Sequence, residues 1–158
     1  MKRILIWAGS IVLCQAAGAL GALITMDAVP TWYAGLIKPV FNPPARLFGP
    51  VWILLYTLMG IALALILETD PRHPGRRTAL VLFFGQLMLN ALWTPLFFGL
   101  KWMLPAFFEI VLLEGVILLT IRRFLRIRRV AGWLLFPYAA WVAFAAVLNL
   151  SLWILNRG

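Results

Sequence analysis

Five long apolar stretches, separated by shorter polar segments, dominate the pattern along the chain. They cover residues 4–26, 47–67, 78–99, 103–121 and 130–155. A helix needs about 20 mainly apolar residues to cross roughly 30 Å of hydrocarbon, and each stretch is close to that length. The pattern therefore predicts an all-α integral membrane protein built as a bundle of five transmembrane helices.

The connections between these stretches are unequal in length. The second, third and fourth cover residues 68–77, 100–102 and 122–129. Connections this short force antiparallel neighbours, so we expect one domain over residues 1–158. The first connection, residues 27–46, is longer, and long connections in compact domains tend to be functional. From Trp32 to Pro44 it is too aromatic for a solvated linker and too rich in proline for a helix. We expect this loop to act as a lid.

Composition and charge agree with a membrane protein. Apolar residues make up 64% of the chain and charged residues 12%, with a net charge of +9, whereas an ordinary globular domain is about 45–50% apolar. The N-terminus and the second and fourth connections hold ten of the 14 Lys and Arg residues. The positive-inside rule then predicts a cytoplasmic N-terminus and an external C-terminus in a bacterial cell membrane. The charge is thus explained by topology and by attraction to anionic lipid, not by nucleic-acid binding.

Conventional catalytic and metal chemistry finds few candidate residues. Cys14 is the single cysteine and His73 the single histidine, so neither an internal disulfide nor a histidine-rich metal site is available. The sequence contains no Gly-rich phosphate loop and no nucleophile elbow. We expect no metal and no required cofactor.

Polar side chains inside the apolar stretches are the remaining candidates, because they are costly in hydrocarbon. Gln86, Asn90 and Trp93 follow one another at helical spacing and share one face. Two interpretations stay open for the amides: contacts to a ligand, or hydrogen bonds between helices. Glu109 and Glu114 lie on different faces of the fourth helix. We expect them to pair with backbone, hydroxyl or Arg groups, and a proton relay is the alternative.

Aromatic stripes mark the second and fifth stretches. In the fifth, side chains recur at three- and four-residue steps: Tyr138, Trp141, Ala145, and Asn149 or Leu148. Trp52 and Tyr56 form a similar pair in the second. Converging aromatic faces can hold a flat apolar ligand between them. The alternative is that these rings lie at the membrane interface, where Trp and Tyr concentrate in any case.

Three sequence blocks occur in order on the loop and second stretch, on the third stretch and on the fifth. They are Trp32-Tyr33…Lys38-Pro39…Pro43-Pro44…Trp52…Tyr56, then Gln86…Asn90…Trp93-Thr94-Pro95, then Pro137-Tyr138…Trp141…Ala145…Asn149. This pattern, which covers nearly the whole chain, resembles the translocator protein family. That family comprises the tryptophan-rich sensory proteins of bacteria and the peripheral-type benzodiazepine receptors of mitochondria.

The resemblance implies a five-helix bundle, commonly a homodimer, with a pocket closed by the first loop. It also implies protoporphyrin IX or a haem-like tetrapyrrole as ligand. The implied pocket residues are Ala22, Trp32, Phe48, Gly49, Trp52, Asn90, Trp93, Trp141, Ala145 and Leu148, to which the helix-face pattern adds Tyr56, Gln86 and Tyr138. Three of the indoles match those implicated in handling bound porphyrin and are the candidate catalytic groups: Trp32, Trp52 and Trp141.

The resemblance is incomplete at the sterol-related positions. The tail after Asn149 lacks the tyrosine and arginine of the animal cholesterol motif, and Pro105 stands where the animal pocket has a tryptophan. Cholesterol is therefore not an expected partner. Three functions follow from the family: a porphyrin-binding sensor, which the residues favour, a light-dependent porphyrin-degrading enzyme, and a tetrapyrrole transporter.

Overall fold

The computed structural model describes residues 1–157, which form six α-helices. They are α1 (Lys2–Ala28), α2 (Ala45–Leu67), α3 (Arg76–Thr94), α4 (Met103–Ile127), α5 (Arg129–Trp133) and α6 (Phe136–Leu155). The short α5 continues into α6, so that five helical segments are long and apolar enough to cross a membrane. The predicted all-α, five-helix membrane fold is confirmed.

Two of the helical segments differ in detail from the sequence pattern. The third does not run as an α-helix to residue 99, because Pro95 has no N–H to donate to the preceding turn. Instead Pro95–Gly99 forms a wider, π-helical turn, in which the Leu100 N–H donates to the Pro95 carbonyl at 2.8 Å. The fourth continues to Ile127, past the expected end at residue 121, because long Arg side chains can extend from a helix end towards the interface.

The helices pack as an incomplete ring. α1 packs against α2 and α3, α3 against α4, and α4 against α6, whereas α2 and α6 meet only sparsely. We call the end of the bundle that carries the N-terminus and residues 68–75 the basic end. The opposite end, which carries residues 29–44, is the loop end.

Helix α1 changes neighbours along its length. Near the basic end it lies in backbone contact with α2, since a β-carbon on Gly60 would lie 2.5 Å from the Ile11 Cα. Towards the loop end α1 packs against α3, where a β-carbon on Gly21 would lie 3.2 Å from the Thr94 hydroxyl. α1 and α2 therefore separate towards the loop end.

The solid core occupies the basic half of the bundle. Met59, Leu63 and Ile66 of α2 are at most 1% exposed. The Phe83 ring stacks on Phe124 with a centroid distance of 5.8 Å. Burial of these side chains holds α2, α3 and α4 together through the hydrophobic effect and dispersion.

Glu68 ties several segments together at the basic end. Its carboxylate accepts hydrogen bonds from Arg3 Nε at 2.5 Å and from Trp7 Nε1 at 2.8 Å, and Arg128 lies 3.8 Å away. The hydrogen bond from Arg3, followed by that from Trp7, lowers the pKa of Glu68 below its usual value of 4.5. One carboxylate thus joins α1, the end of α2 and the start of the last span.

Candidate ligand cavity

A cavity of about 370 Å³ lies at the loop end, where α1 and α2 separate. Its walls come from all five helical segments, and Tyr33 of the loop closes it from above. Its volume lies within the range of about 300–1,000 Å³ typical of small-molecule sites. Among the described residues, no Lys, Arg, Asp or Glu lines it. The space is therefore suited to a largely apolar molecule.

Ten of the thirteen predicted ligand-binding residues line this cavity. They are Ala22, Phe48, Gly49, Trp52, Tyr56, Asn90, Trp93, Trp141, Ala145 and Leu148. The other three, Trp32, Gln86 and Tyr138, do not line it. The structure thus brings together most of the predicted set, and ligand binding by these residues remains a prediction.

Aromatic rings from three helices and the loop form much of the wall. Trp52 stacks on Tyr56 with a centroid distance of 5.4 Å. Trp93 stacks on Phe97 at 5.0 Å, with an angle of 14° between the ring planes. These pairs fix the indoles by packing, which presents preformed flat surfaces to the cavity.

A buried chain of hydrogen bonds runs from the cavity wall into the interior of the bundle. The Tyr56 hydroxyl donates to Asn90 Oδ1 at 2.7 Å, the Asn90 amide donates to the Tyr138 oxygen at 2.8 Å, and Tyr138 donates to Gln86 Oε1 at 2.8 Å. Asn90 therefore links helices, as one of the two interpretations expected. It also lines the cavity, so that a contact between Asn90 and a ligand stays a prediction. Gln86 and Tyr138 are at most 1% exposed and support the wall from behind.

Asn149 links the cavity wall to α4. Its Oδ1 accepts the Trp93 indole N–H at 3.2 Å, and its amide donates to the Met103 carbonyl at 2.7 Å. The helix pattern left open whether Asn149 or Leu148 belongs to the stripe. Both line the cavity.

The loop places Tyr33, rather than Trp32, over the cavity. Tyr33 is 6% exposed and donates to Asn42 Oδ1 at 2.6 Å. Burial raises the pKa of its phenol, and the hydrogen bond with Asn42 partly opposes that rise. Trp32 is half-buried and packs edge-on against Phe97 with a centroid distance of 5.5 Å. The tight helical turn Tyr33–Gly35 sets which of the two rings points inward, and composition alone does not reveal it.

The loop is held to the end of α6 by a pair of hydrogen bonds that sequence reasoning missed. The side chain of Asn156 accepts from the Ile37 N–H and donates to the Ile37 carbonyl, both at 2.9 Å. An asparagine 119 residues from its partner gives no local signal in the sequence. The expected lid is thus a structured roof with a defined attachment.

Two further groups of residues were not foreseen. α1 lines the cavity with Gln15, Gly18, Ala19, Gly21 and Thr25 in addition to Ala22, and α4 contributes Ile110 and Leu113. Neither helix shows an aromatic stripe. The small and aliphatic residues at these positions predict burial in a membrane helix, but they do not indicate a ligand cavity.

The expected pairing of the acidic residues of α4 is wrong for the groups that the structure describes. Both carboxylate oxygens of Glu109 and the Oε2 of Glu114 are buried without a hydrogen-bond partner in residues 1–157. They do not line the cavity. The network of hydrogen bonds around Tyr138 is built from amides and phenols instead.

Comparison with known proteins agrees with this architecture. The model of the TspO/MBR family matches residues 10–154. The "Tryptophan-rich protein TspO" of Chlorobaculum tepidum is 43% identical over 155 residues, which is 98% of each chain. The protein of the same name from Archaeoglobus fulgidus is 43% identical over 93% of this chain and 94% of its own. The human "Translocator protein" is 38% identical over 80% of this chain and 76% of its own. This multi-pass membrane protein therefore belongs to the TspO/MBR family.

Proposed function

We propose that the protein binds a porphyrin, protoporphyrin IX or a related tetrapyrrole, in the cavity at the loop end. The observation that carries the proposal is the cavity itself, which combines flat indole surfaces with a wall free of charged side chains. A porphyrin is a flat, largely apolar macrocycle, and aromatic faces contact such a molecule well. Sequestration or regulated transfer of the ligand is the function that this arrangement supports.

The polar edge of a porphyrin needs a different environment from its ring. The amides near the wall already have protein partners, since Asn90 and Asn149 are engaged by neighbouring side chains. The propionates of protoporphyrin are therefore expected to point out of the cavity. Arg46 is exposed next to the lining residue Ala45 and offers one positive partner there.

Titration of the purified protein with protoporphyrin IX in the dark tests the proposal. Binding predicts a saturable shift of the Soret band and quenching of tryptophan fluorescence, because the indoles of the wall contact the ring. Binding of the porphyrin to the detergent itself is measured with the same micelles without protein. A linear, non-saturating response equal to that control contradicts the proposal.

Light-dependent degradation of the bound porphyrin is the second candidate. It is favoured by the position of Trp52 and Trp141 in the cavity wall, where oxidisable indoles would contact a light-excited ring, with dissolved molecular oxygen as the oxidant. Illumination of the complex then predicts loss of the Soret band with a new product, and Trp141→Phe is expected to abolish that product while the dark complex still forms. An unchanged Soret band under light leaves binding as the function.

We further propose a bacterial cell membrane with the N-terminus in the cytoplasm, because the basic end carries most of the positive charge. A homodimer is proposed from the family. Access of an impermeant thiol reagent to a cysteine placed in residues 68–75, in intact cells and in inverted vesicles, tests the orientation. The mass of the detergent-solubilised complex tests the dimer.

A further inference from the structure

The cavity has one side on which its lining residues are also exposed at the surface of the bundle. Of all the residues that line it, five are exposed: Ala19, Ala22, Ala45, Gly49 and Ile53. All five belong to α1 or α2. The lining residues of α3, α4 and α6, by contrast, are buried or half-buried. The cavity therefore opens sideways, between α1 and α2.

The limits of this opening are set by defined contacts. On the basic side, the Gln15 amide donates to the Thr57 hydroxyl and to the Ile53 carbonyl, both at 2.9 Å, which joins the two helices. Beyond that cross-link, Gly60 brings them into backbone contact at Ile11. On the loop side, Val29 and Tyr33 line the cavity. The gap thus lies within the membrane-spanning parts of α1 and α2.

The small size of Gly49 at the opening is not needed for close packing. A β-carbon on Gly49 would meet no atom within 4 Å, in contrast to the crowded Gly60. Among the five exposed residues only Ile53 carries a large side chain, and it is 61% exposed. The opening is therefore lined by apolar side chains, and the exposed Arg46 stands next to Ala45 at its loop end.

The direct route from water, under the loop, is closed by several contacts. Asn156 holds the backbone of Ile37, and Tyr33 is buried over the cavity and bonded to Asn42. Trp32 packs against Phe97. A ligand that came from water would have to break these contacts together, whereas the side opening requires no such change.

We propose that the cavity exchanges its ligand with the bilayer through the opening between α1 and α2, which we call the lateral portal, bounded by Ala19, Ala22, Ala45, Gly49 and Ile53. The proposal rests on the proposed function and defines its ligand class further. The ligand is a flat, apolar molecule that is dissolved in the membrane before it binds. The loop serves as a fixed roof that retains the ligand, and α1 and α2 form the route.

Narrowing the portal tests this route. Ala19→Phe adds a ring at the exposed edge of the portal, and Gly115→Phe is the matched control, because Gly115 is exposed on α4, away from the cavity, with no atom within 4 Å of an added β-carbon. With protoporphyrin IX supplied in liposomes, Ala19→Phe is expected to slow association about tenfold relative to Gly115→Phe. Dissociation should also be slower, because a narrower portal raises the barrier to passage in both directions. Equal association rates in the two variants overturn the proposal.

Locking the loop tests the competing route. Ile37→Cys combined with Asn156→Cys places two thiols where side chain and backbone now touch, and Cys14 stays fully buried. After oxidation, with the cross-link verified by mass, exchange of the ligand with liposomes is expected to continue at an unchanged rate. Exchange that stops when the loop is cross-linked and resumes on reduction contradicts the lateral portal.

A measurement without ligand separates the failure of the portal from the failure of porphyrin binding. A nitroxide attached at Ala145→Cys reports on the inside of the cavity. Its collision rate with oxygen, which concentrates in the bilayer, is expected to fall in the Ala19→Phe background and not in the Gly115→Phe background, while collision with an aqueous nickel chelate stays low. Equal oxygen collision rates overturn the portal even where porphyrin binds, and a difference supports it even where porphyrin does not.

Discussion

The two ends of the α1–α2 pair use small residues for opposite purposes. At the basic end, Gly60 lets the backbones touch, since a β-carbon there would lie 2.5 Å from the Ile11 Cα. At the loop end, Gly49 has no atom within 4 Å of an added β-carbon and lines an open cavity. The same residue type stabilises contact in one place and preserves space in the other. The distinction depends on the neighbouring helix, which is not visible in either local sequence.

This contrast divides the bundle into a closely packed part, which provides stability, and a part that contains the cavity. Close packing in the basic half maximises dispersion contacts, and the Glu68 cluster adds charged hydrogen bonds. The loop half gives up packing around a cavity of about 370 Å³. Interiors are normally close-packed, so an open space of this size indicates a ligand site more strongly than any single residue does.

The largest effect is expected from filling the contact at the basic end. Gly60→Leu forces α1 away from α2 and should cost about 3 kcal/mol of stability, as overpacking in a well-packed core does. Gly49→Leu, at an uncrowded position, should cost less than about 0.5 kcal/mol. Unfolding followed by circular dichroism in mixed micelles measures both. Equal losses in the two variants would remove the contrast between the ends.

The hydrogen-bonded chain at the boundary of the two halves should come second. Tyr138→Phe removes the hydroxyl that joins Asn90 to Gln86 and leaves buried amide groups unsatisfied, at a cost of about 1–3 kcal/mol. Tyr33→Phe, which loses a partly buried hydrogen bond to Asn42, is the matched control with a smaller expected loss. If Tyr138→Phe is no less stable than Tyr33→Phe, the hydrogen bonds of Tyr138 do not hold the basic half and the loop half of the bundle together.

A smaller effect is expected where the loop is attached. Asn156→Ala removes the two hydrogen bonds to the Ile37 backbone, worth about 1 kcal/mol in total after competition with water. Hydrogen exchange at residues 29–44 should rise, while exchange in α2 stays protected. Faster exchange throughout the bundle would show that the loop is not a separate roof.

The smallest effect concerns pH at the basic end. Because Arg3 and Trp7 lower the pKa of Glu68 in the folded protein, the carboxylate stabilises the fold fully above its usual value of 4.5. That contribution is lost as the pH falls through the lowered pKa. The melting temperature of the wild type should therefore decline below about pH 4.5 more than that of Glu68→Gln. Parallel pH profiles would show that the cluster contributes nothing measurable.

The sequence was sufficient for the number, order and type of the spans, because length and hydrophobicity determine them. It also predicted the shared face of Gln86 and Asn90, which both meet Tyr138. Periodicity shows which residues share one face of a helix, but not how far each side chain lies from the cavity. It therefore could not show that Gln86 and Tyr138 lie one layer behind the cavity wall. The break at Pro95 was readable in principle from the missing N–H.

Features that join segments distant in sequence could not be predicted from the sequence pattern. One tight turn in the loop determines that the ring of Tyr33, and not that of Trp32, lines the cavity. The attachment of Ile37 to Asn156 and the separation of α1 from α2 depend on how whole helices pack. These are the features that shape the roof of the cavity and the proposed portal.

The proposed porphyrin site in the cavity between the helices is best tested by measuring how matched tryptophan variants bind protoporphyrin IX. Trp52→Leu and Trp141→Leu each remove an indole of the wall, whereas Trp133→Leu removes one that is 63% exposed and lies outside the cavity. The Kd for protoporphyrin IX in the dark should rise about tenfold or more in the first two variants, as expected for the loss of an aromatic contact in a binding site. The Kd of Trp133→Leu should be unchanged. Equal affinities in all three folded variants would contradict a porphyrin site in this cavity.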